Sequence, residues 1–306
     1  MTNTEKIFAY VDHYATNSED LYLEAVIQAC RNWLNGEEVP SLTESVTKEE
    51  IRRGIQLAVL KGMKQNAQPN HQMTPDAIGL LLGHLANKLM KNENNVTILD
   101  PAVGTGNLLY TVMNGMEQQT IGYAVEIDEL LVRLAAVTAE LLEQQVSFIV
   151  QDALRPLLID PVDLVVADLP VGYYPDDENG LNYELMPVEG HAYAHHLFIE
   201  QALKHTKKGG FAIFVIPATL FDSEQAPQLH AFLKKEALIR AVIQLPSSLF
   251  KSTVHEKSLL ILQKPDVSIV NAPEVLLAKV PNMSNKDAMA KFLQDIDLWV
   301  QQHEQQ

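Results

Sequence analysis

The chain has 306 residues, of which 47% are apolar, and a single cysteine, Cys30, which excludes an internal disulfide. Its formal net charge of −16 argues against a protein that grips nucleic acid unaided, because phosphate contacts supply most of that affinity. No apolar run reaches the roughly 18 residues that a membrane span needs, and the first residues lack a signal-peptide pattern. We therefore expect a cytoplasmic protein with one sizeable core and a smaller helical part.

The first part of the chain predicts helices rather than strands. Apolar residues recur at helical spacing between residues 21 and 34. Thr47 and Glu50 have the spacing of a capping box ahead of a second amphipathic stretch. We assign residues 1–68 to a helical N-terminal domain, and we interpret the polar residues 65–72 as a linker or an active-site approach loop.

Short β-rich runs then alternate with helix-length segments. This alternation is typical of a mainly parallel sheet covered by helices on both faces, the doubly wound, Rossmann-like α/β architecture. The seven runs are Thr97–Leu99, Thr120–Val125, Val146–Val150, Leu164–Ala167, Phe211–Ile216, Ile239–Gln244 and Leu259–Gln263. The last two are too close for a helical crossover, so we expect one of them to be antiparallel. We assign this seven-stranded sheet to residues 69–270 and a C-terminal extension with one helix to residues 271–306.

A glycine-rich turn after the first run is the strongest single pattern in the sequence. Asp100 ends the run, Gly104 and Gly106 lie in the turn, and a helix is predicted to follow. Ligands of doubly wound sheets bind at the carboxyl ends of strands, where glycine lets the backbone approach and a helix N-terminus favours a carboxylate. Glu126, at the end of the second run, can accept hydrogen bonds from ribose hydroxyls. Asp152, after the third run, can accept one from an adenine amine.

These features favour S-adenosylmethionine as the ligand. The third glycine of a dinucleotide-binding turn is absent, because Leu109 stands in its place. Asp100 also precedes the turn, where its charge suits the ammonium group of methionine. A dinucleotide site and a purely structural turn are the alternatives, and an ordinary N-cap is the alternative role for Asp152.

A second motif, running from Asp168 to Gly172, ends the fourth run. An exocyclic aromatic amine is a poor nucleophile because its lone pair is delocalised into the ring. The Asp168 side chain and the Leu169 carbonyl could accept both amine hydrogens and direct that lone pair at a methyl group, with Pro170 stiffening the turn. An ordinary strand-end turn is the alternative.

The order of these motifs resembles that of the N(6)-adenine DNA methylases, in particular the modification subunits of type I restriction systems. The matching segments are His71–Ile78, Asp100–Gly106, Asp168–Gly172, Tyr193–Phe198, Lys208–Gly210, Ile216–Pro217 and Leu245–Thr253. The likeness spans about residues 70–264. It is nearest to stand-alone Firmicute-type members, which carry a short helical N-terminal region.

The resemblance implies a seven-stranded class I methyltransferase fold, S-adenosylmethionine as cofactor and methyl transfer to adenine in DNA. The cofactor-binding residues that it implies are Thr74, Pro75, Asp100, Pro101, Ala102, Gly104, Gly106, Asn107, Glu126, Ile127, Asp152 and Ala153. The catalytic residues that it implies are Asp168, Leu169, Pro170 and Tyr173. Within this set, Tyr173, or its neighbour Tyr174, replaces a stacking aromatic that the family carries at the position of Val171.

Two departures from the family pattern leave the methyl acceptor open: Leu169 replaces a proline, and Val171 replaces the aromatic residue. We also expect no large target-recognition domain in these 306 residues. We therefore expect weak binding to DNA and a partner that resembles a specificity subunit, or a homo-oligomer. The alternatives are transfer to RNA or to a protein amide, and a pseudoenzyme that binds S-adenosylmethionine.

Three histidines, His191, His195 and His196, suggest a metal site. The family carries a histidine in this helix without metal, so we expect no metal here.

Overall fold

A computed structural model describes residues 1–43, 45–65, 73–267 and 274–304. The predicted approach loop at 65–72 and both predicted domain boundaries fall on or beside residues outside these ranges. The division of the chain into three domains therefore stays a prediction.

The described residues form helices at both ends of the chain and an alternating β/α region between them. The helices are α1 (Asn3–Asn17), α2 (Tyr22–Asn35), α3 (Lys48–Gln65), α4 (Asp76–Leu89), α5 (Asn107–Gly115), α6 (Glu129–Leu141), α7 (Asp177–Gly180), α8 (Ala194–Lys204), α9 (Ala226–Glu236) and α10 (Lys286–Glu304). The strands are β1 (Asn95–Asp100), β2 (Gln119–Glu126), β3 (Val146–Val150), β4 (Val162–Asp168), β5 (Thr206–Pro217), β6 (Leu238–Gln244), β7 (Lys257–Gln263) and β8 (Leu276–Lys279).

The strands form one sheet in the order β3-β2-β1-β4-β5-β7-β6-β8. Neighbouring strands are parallel except that β7 runs antiparallel to both β5 and β6. The predicted mainly parallel α/β fold is thus confirmed, and β7 is the antiparallel member of the last two predicted runs. Within the described ranges the sheet has eight strands rather than seven. The sequence pattern misses β8 because this short strand, Leu-Leu-Ala-Lys, lacks β-branched residues and lies at the edge of the sheet with alternate residues exposed.

Helices cover both faces of the sheet, so the strand ends are where polar side chains can gather. On one face, residues such as Ile98 and Val166 share a buried cluster with α1 to α6 and α10. On the other face, residues such as Val165 and Phe214 pack against α8 and α9. The N-terminal helices therefore belong to the same buried cluster as the sheet.

The predicted N-terminal helix signals act as expected. The Thr47 hydroxyl accepts from the Glu50 amide at 3.2 Å, and the Glu50 carboxylate accepts from the Thr47 amide at 2.9 Å, so the capping box at the start of α3 is formed. Gly36 ends α2 in the left-handed conformation, with φ of 72°. In the described part of the chain, no helix is long and apolar enough to cross a membrane.

Candidate functional site

The structure brings the four predicted carboxylates to one edge of the sheet. Asp100, Glu126 and Asp168 are the last residues of β1, β2 and β4, and Asp152 follows β3 by two residues. These four strands are adjacent and parallel, so their carboxyl ends lie side by side.

The glycine-rich turn connects β1 to α5, as predicted. Gly104 and Gly106 have φ of 53° and 82°, in the left-handed region that favours glycine. A Cβ at Gly106 would overlap the ring of Tyr110, whereas a Cβ at Gly104 would meet nothing within 4 Å. The backbone at Gly104 therefore borders open space at the edge where the carboxylates gather.

Backbone amides orient the Glu126 carboxylate. One oxygen accepts from the Gly104 amide at 3.0 Å, and the other accepts from the Ile127 amide at 2.9 Å and the Asp128 amide at 3.0 Å. Ile127 is 69% exposed and presents an apolar side chain next to this carboxylate. A fixed acceptor beside an exposed apolar side chain is suited to a ribose with an attached base.

Asp100 lies deeper in the same edge and is 1% exposed. Burial raises the pKa of its carboxyl group to about 8. The Ala102 amide, which donates to it at 3.0 Å, lowers the pKa, while the charges of Glu126 and Asp168 raise it further. A cationic ligand would relieve this crowding of negative charge, and an anionic pyrophosphate would increase it.

Asp152 links the cofactor edge to the acceptor motif. One of its oxygens accepts from the Leu154 amide at 2.9 Å and caps the turn after β3, so the local capping role is present. Its other oxygen accepts from the Tyr174 hydroxyl at 2.6 Å. Because Tyr174 is only 6% exposed, its ring is not available to stack on a base, which leaves Tyr173.

The Asp168 carboxylate is held by two side chains that are distant in sequence. The Thr74 hydroxyl donates to one oxygen at 2.9 Å, and the Lys257 ammonium donates to the other at 2.6 Å. Lys257 is not among the site residues predicted from the sequence. A usable signal is that Lys257 is the first residue of an antiparallel strand, which places it at the edge where the parallel strands end.

A buried hydrogen-bond path runs from the N-terminal helices to Asp168. Arg52 of α3, only 2% exposed, donates to the side-chain oxygen of Asn107 and, at 3.1 Å, to Asp76. Asn107 in turn donates to the carbonyl of Thr74 at 3.1 Å. Arg52 is likewise not among the predicted site residues, although a charged residue on the apolar face of a predicted amphipathic helix indicates a buried partner.

The backbone amide of Leu169 has a hydrogen-bond partner, but its carbonyl has no backbone donor among the described residues. Its amide donates to the Val215 carbonyl at 3.1 Å, extending the ladder between β4 and β5 by one bond. The next donor in this parallel ladder would be residue 217, which is proline and has no N–H. In the described part of the chain, no backbone donor reaches the Leu169 carbonyl. Pro170, next in the motif, is exposed.

Tyr173 belongs to a short aromatic column, and the tilted ring of His191 also lies near it, with centroids 6.0 Å apart. It is 55% exposed, and its ring stacks on Tyr193 with centroids 4.9 Å apart and planes 10° apart. Tyr193 in turn stacks on His195 at 5.2 Å. Val171 is 61% exposed at the position that the motif predicts to be aromatic. One face of Tyr173 is therefore supported from behind.

The three histidines lie in different environments. His191 is exposed and lies 2.8 Å from the Asp177 carboxylate. Burial lowers the pKa of His195 to about 4, and burial with the neighbouring His195 lowers that of His196 to about 3, so both are neutral at pH 7. No group of three or more metal-ligating side chains was found among the residues that the structure describes.

Two family models match the chain. The model described as N-6 DNA methylase matches residues 59–303, and the one described as the YtxK N-terminal helical domain matches residues 5–63. A relative from Bacillus subtilis (strain 168), "Uncharacterized protein YtxK", is 48% identical over 252 residues, which cover 82% of this chain and 77% of the relative.

Solved structures show the same likeness. A candidate class I S-adenosylmethionine-dependent methyltransferase from Listeria monocytogenes is 42% identical with a TM-score of 0.89, and the match covers 97% of this chain and 99% of that one. A methyltransferase subunit of a type I restriction-modification system from Streptococcus thermophilus shares the fold at a TM-score of 0.69 and 16% identity, covering 96% of this chain and 74% of that one.

Proposed function

The chain belongs to the N-6 DNA methylase family, and from this membership we propose that it transfers a methyl group to the exocyclic amine of adenine in DNA. The family predicted from the motifs is confirmed, and so are the S-adenosylmethionine-dependent methyltransferase class and its cofactor. The acceptor, the roles of individual residues and a cytoplasmic location are our proposals.

The cofactor edge fits a cationic ligand. S-adenosylmethionine, when bound, supplies an electrophilic methyl group on a positively charged sulfonium. The Asp100 carboxyl, whose pKa is raised to about 8 chiefly by burial and further by the charges of Glu126 and Asp168, would bind the ammonium of its methionine part. Glu126 would accept from the ribose and Asp152 from the adenine amine. The remaining predicted contacts are Thr74, Pro75, Pro101, Ala102, Gly104, Gly106, Asn107, Ile127 and Ala153.

The observation that carries the proposal is the pair of acceptors at the end of β4, beside the cofactor turn. Lys257 and Thr74 hold the Asp168 carboxylate in place, and each of its oxygens keeps a further lone pair. The Leu169 carbonyl next to it lacks a backbone donor among the described residues. Together they can accept both hydrogens of an aromatic amine and localise its lone pair on nitrogen.

The flipped base would stack on the face of the Tyr173 ring opposite Tyr193. Base–aromatic stacking is worth roughly 1–3 kcal/mol per base, and the ring beneath Tyr173 keeps it from turning away when a base binds. Pro170 would stiffen the turn between Asp168 and Tyr173.

The net charge limits how the DNA is held. We expect the chain alone to bind duplex DNA no more tightly than the ~10⁻⁴–10⁻⁶ M of non-specific complexes at physiological salt. A partner with a basic, sequence-reading surface, or a second copy of the chain, would supply the rest. Fluorescence anisotropy with a labelled duplex measures this, and a tight, salt-resistant, sequence-selective complex of the chain alone would contradict it.

The acceptor is tested by transfer of a tritiated methyl group from S-adenosylmethionine to duplex DNA, to RNA and to protein extract. We expect label in DNA, recovered as N(6)-methyladenine after digestion to nucleosides. Asp168→Ala, purified in parallel, should lose the label, which excludes a contaminating methyltransferase. Label in RNA or in protein would replace the DNA proposal with that acceptor. A chain that binds the cofactor but labels none of them would be a pseudoenzyme.

A further inference from the structure

The edge of the sheet opposite the proposed site contains a cavity of about 320 Å³. It lies where β5 and β6 begin and β7 ends, with the last turn of α4 and residues of α10 forming the remaining wall. This volume is at the lower end of the range typical of small-molecule sites. The proposed methyl transfer uses none of the residues that line it.

Arg240 lines this cavity and is buried without a counter-charge. It is 6% exposed, and one of its terminal nitrogens donates to the neutral side chain of Gln263. Its Nε atom has no hydrogen-bond partner, and no carboxylate pairs with it, in the part of the chain that the structure describes. Burial lowers the pKa of Arg240 accordingly. A buried guanidinium is costly unless an anion compensates it.

Two irregularities of the sheet open onto the same cavity. The pairing of β6 with β7 shifts register between Ile239 and Ala241, which puts Arg240 at the irregularity. The pairing of β4 with β5 shifts between Val162 and Leu164, at Asp163. Such bulges re-aim a side chain and are frequent next to binding sites. The placement of Arg240 is therefore a built feature of the sheet.

A glycine pair completes the mouth of the cavity. Gly209 has φ of 77°, and a Cβ at Gly210 would lie 2.8 Å from the Asp163 carbonyl, so a side chain fits poorly at either position. Lys207 and Lys208, which precede the glycine pair, lie on β5. They are not at the carboxyl end of α8 and therefore do not cap that helix.

The charges around the cavity leave an excess of unpaired cations. Lys207 is 2.7 Å from Asp163, so these two charges neutralise each other. Lys208 has no ion pair among the described residues. Of the other residues that line the cavity, Arg240 is cationic and Glu93 is acidic, and Asp266 lies beside Gly209 at the mouth. This surplus is notable in a chain whose net charge is −16.

We propose that this cavity binds a small oxyanion, the phosphate or carboxylate group of a metabolite, through Arg240 and Lys208. The planar guanidinium offers paired donors that match either group, and the lysine adds a point charge at the mouth. The inference does not depend on methyl transfer, because the site lies at the other edge of the sheet.

The proposal is tested by thermal unfolding and titration calorimetry with inorganic phosphate and with acetate, against chloride at equal ionic strength. We expect a saturable rise in Tm and a measurable binding heat with at least one of the two oxyanions. Binding of phosphate alone or of acetate alone identifies the group. The absence of a saturable effect from both would overturn the proposal.

Three variants locate the binding. Lys208→Ala should weaken it about tenfold, and Arg240→Gln should abolish it, whereas Lys234→Ala, an exposed lysine of α9 outside the cavity, should bind as the wild type does. Without anion, Arg240→Gln should unfold at a higher temperature than the wild type, because the uncompensated charge is gone. If Arg240→Gln does not fold, Lys208→Ala decides. Unchanged binding by Lys208→Ala and by any folded Arg240→Gln would overturn the assignment.

Discussion

Strand β4 carries an aspartate near each of its ends, and both aspartates accept hydrogen bonds from a threonine hydroxyl and a lysine ammonium. At the edge opposite the proposed site, Asp163 accepts from the Thr97 hydroxyl at 2.6 Å and from Lys207 at 2.7 Å. Both partners lie on the strands next to β4, and the Thr97 amide adds a third bond at 2.8 Å. Burial raises the pKa of Asp163, but Lys207 and Thr97 outweigh it and leave the pKa below its ordinary value.

At the site edge, the partners of Asp168 come from farther away. Thr74 precedes α4, and Lys257 reaches across the end of β5 from β7. No backbone amide of the described residues bonds to this carboxylate. A threonine and a lysine thus bind both aspartates. Asp163 accepts an additional backbone hydrogen bond, whereas Asp168 keeps lone pairs that are free to accept from a ligand.

The largest effect is expected where the path to Asp168 begins. Arg52→Met should lower the free energy of unfolding by about 3–5 kcal/mol, because it leaves the buried Asn107 without its donor and the partly exposed Asp76 and Glu49 without their cation. The matched control is Arg53→Met. Arg53 is the next residue of α3 after Arg52, but its side chain is 45% exposed. That change should cost at most about 1 kcal/mol. Urea denaturation measures both, and equal losses would show that the buried path has no special role.

The second largest effect is expected on the rate of methyl transfer, and it distinguishes Lys257 from Lys207. Lys257→Met should slow methyl transfer about 100-fold, the typical loss when a reacting group shifts by an ångström, and leave the affinity for S-adenosylmethionine nearly unchanged. Lys207→Met, at the other end of β4, should slow transfer less than twofold. Turnover and calorimetry on the two variants decide between the roles, and a similar loss of turnover in both would remove the distinction between the two ends.

Removal of the ribose acceptor should act on the cofactor alone. Glu126→Ala should weaken S-adenosylmethionine binding by about 1–3 kcal/mol, the typical loss for a charged hydrogen-bond acceptor. Glu129→Ala, in the first turn of α6, removes a nearby carboxylate that is not a predicted ribose acceptor and should change the affinity little. Calorimetry that finds the two variants alike would argue against the role of Glu126.

The smallest effect is a pH dependence of cofactor binding. In the free protein the pKa of Asp100 is about 8, so its carboxyl group is mostly protonated at pH 6–7. If binding places an ammonium beside it, the group ionises and releases a proton. The affinity should then rise from pH 6 to 8, by up to about tenfold per unit, and level off above pH 8. Calorimetry in buffers of different ionisation enthalpy detects the proton, and Asp100→Asn should be flat over this range. A wild type that is equally flat would refute the link.

The fold and the cofactor edge are predictable because their signals are local. Seven apolar runs mark seven strands, and Glu126 is oriented by the amides of Ile127 and Asp128 directly after it. Strand β8 has no such signal, since half of its four residues are exposed.

The acceptor side is much less predictable, because its contacts join distant parts of the chain. Lys257 and Asp168 are 89 residues apart, and Arg52 and Asn107 are 55 apart. The motif at residue 168 identifies the aspartate but not what holds it. Only the antiparallel direction of β7 brings Lys257 to this edge, and only tertiary packing of α3 brings Arg52 to the cofactor turn.

The most direct test of this account compares Asp168→Ala with Asp163→Ala by methyl transfer and cofactor affinity, each per folded protein. We predict that Asp168→Ala loses at least about 100-fold in transfer and binds S-adenosylmethionine within about twofold of the wild type, since amine and cofactor are held by different residues. Asp163→Ala should be less stable by about 1–3 kcal/mol and transfer methyl groups normally. Undiminished transfer by Asp168→Ala would contradict the account.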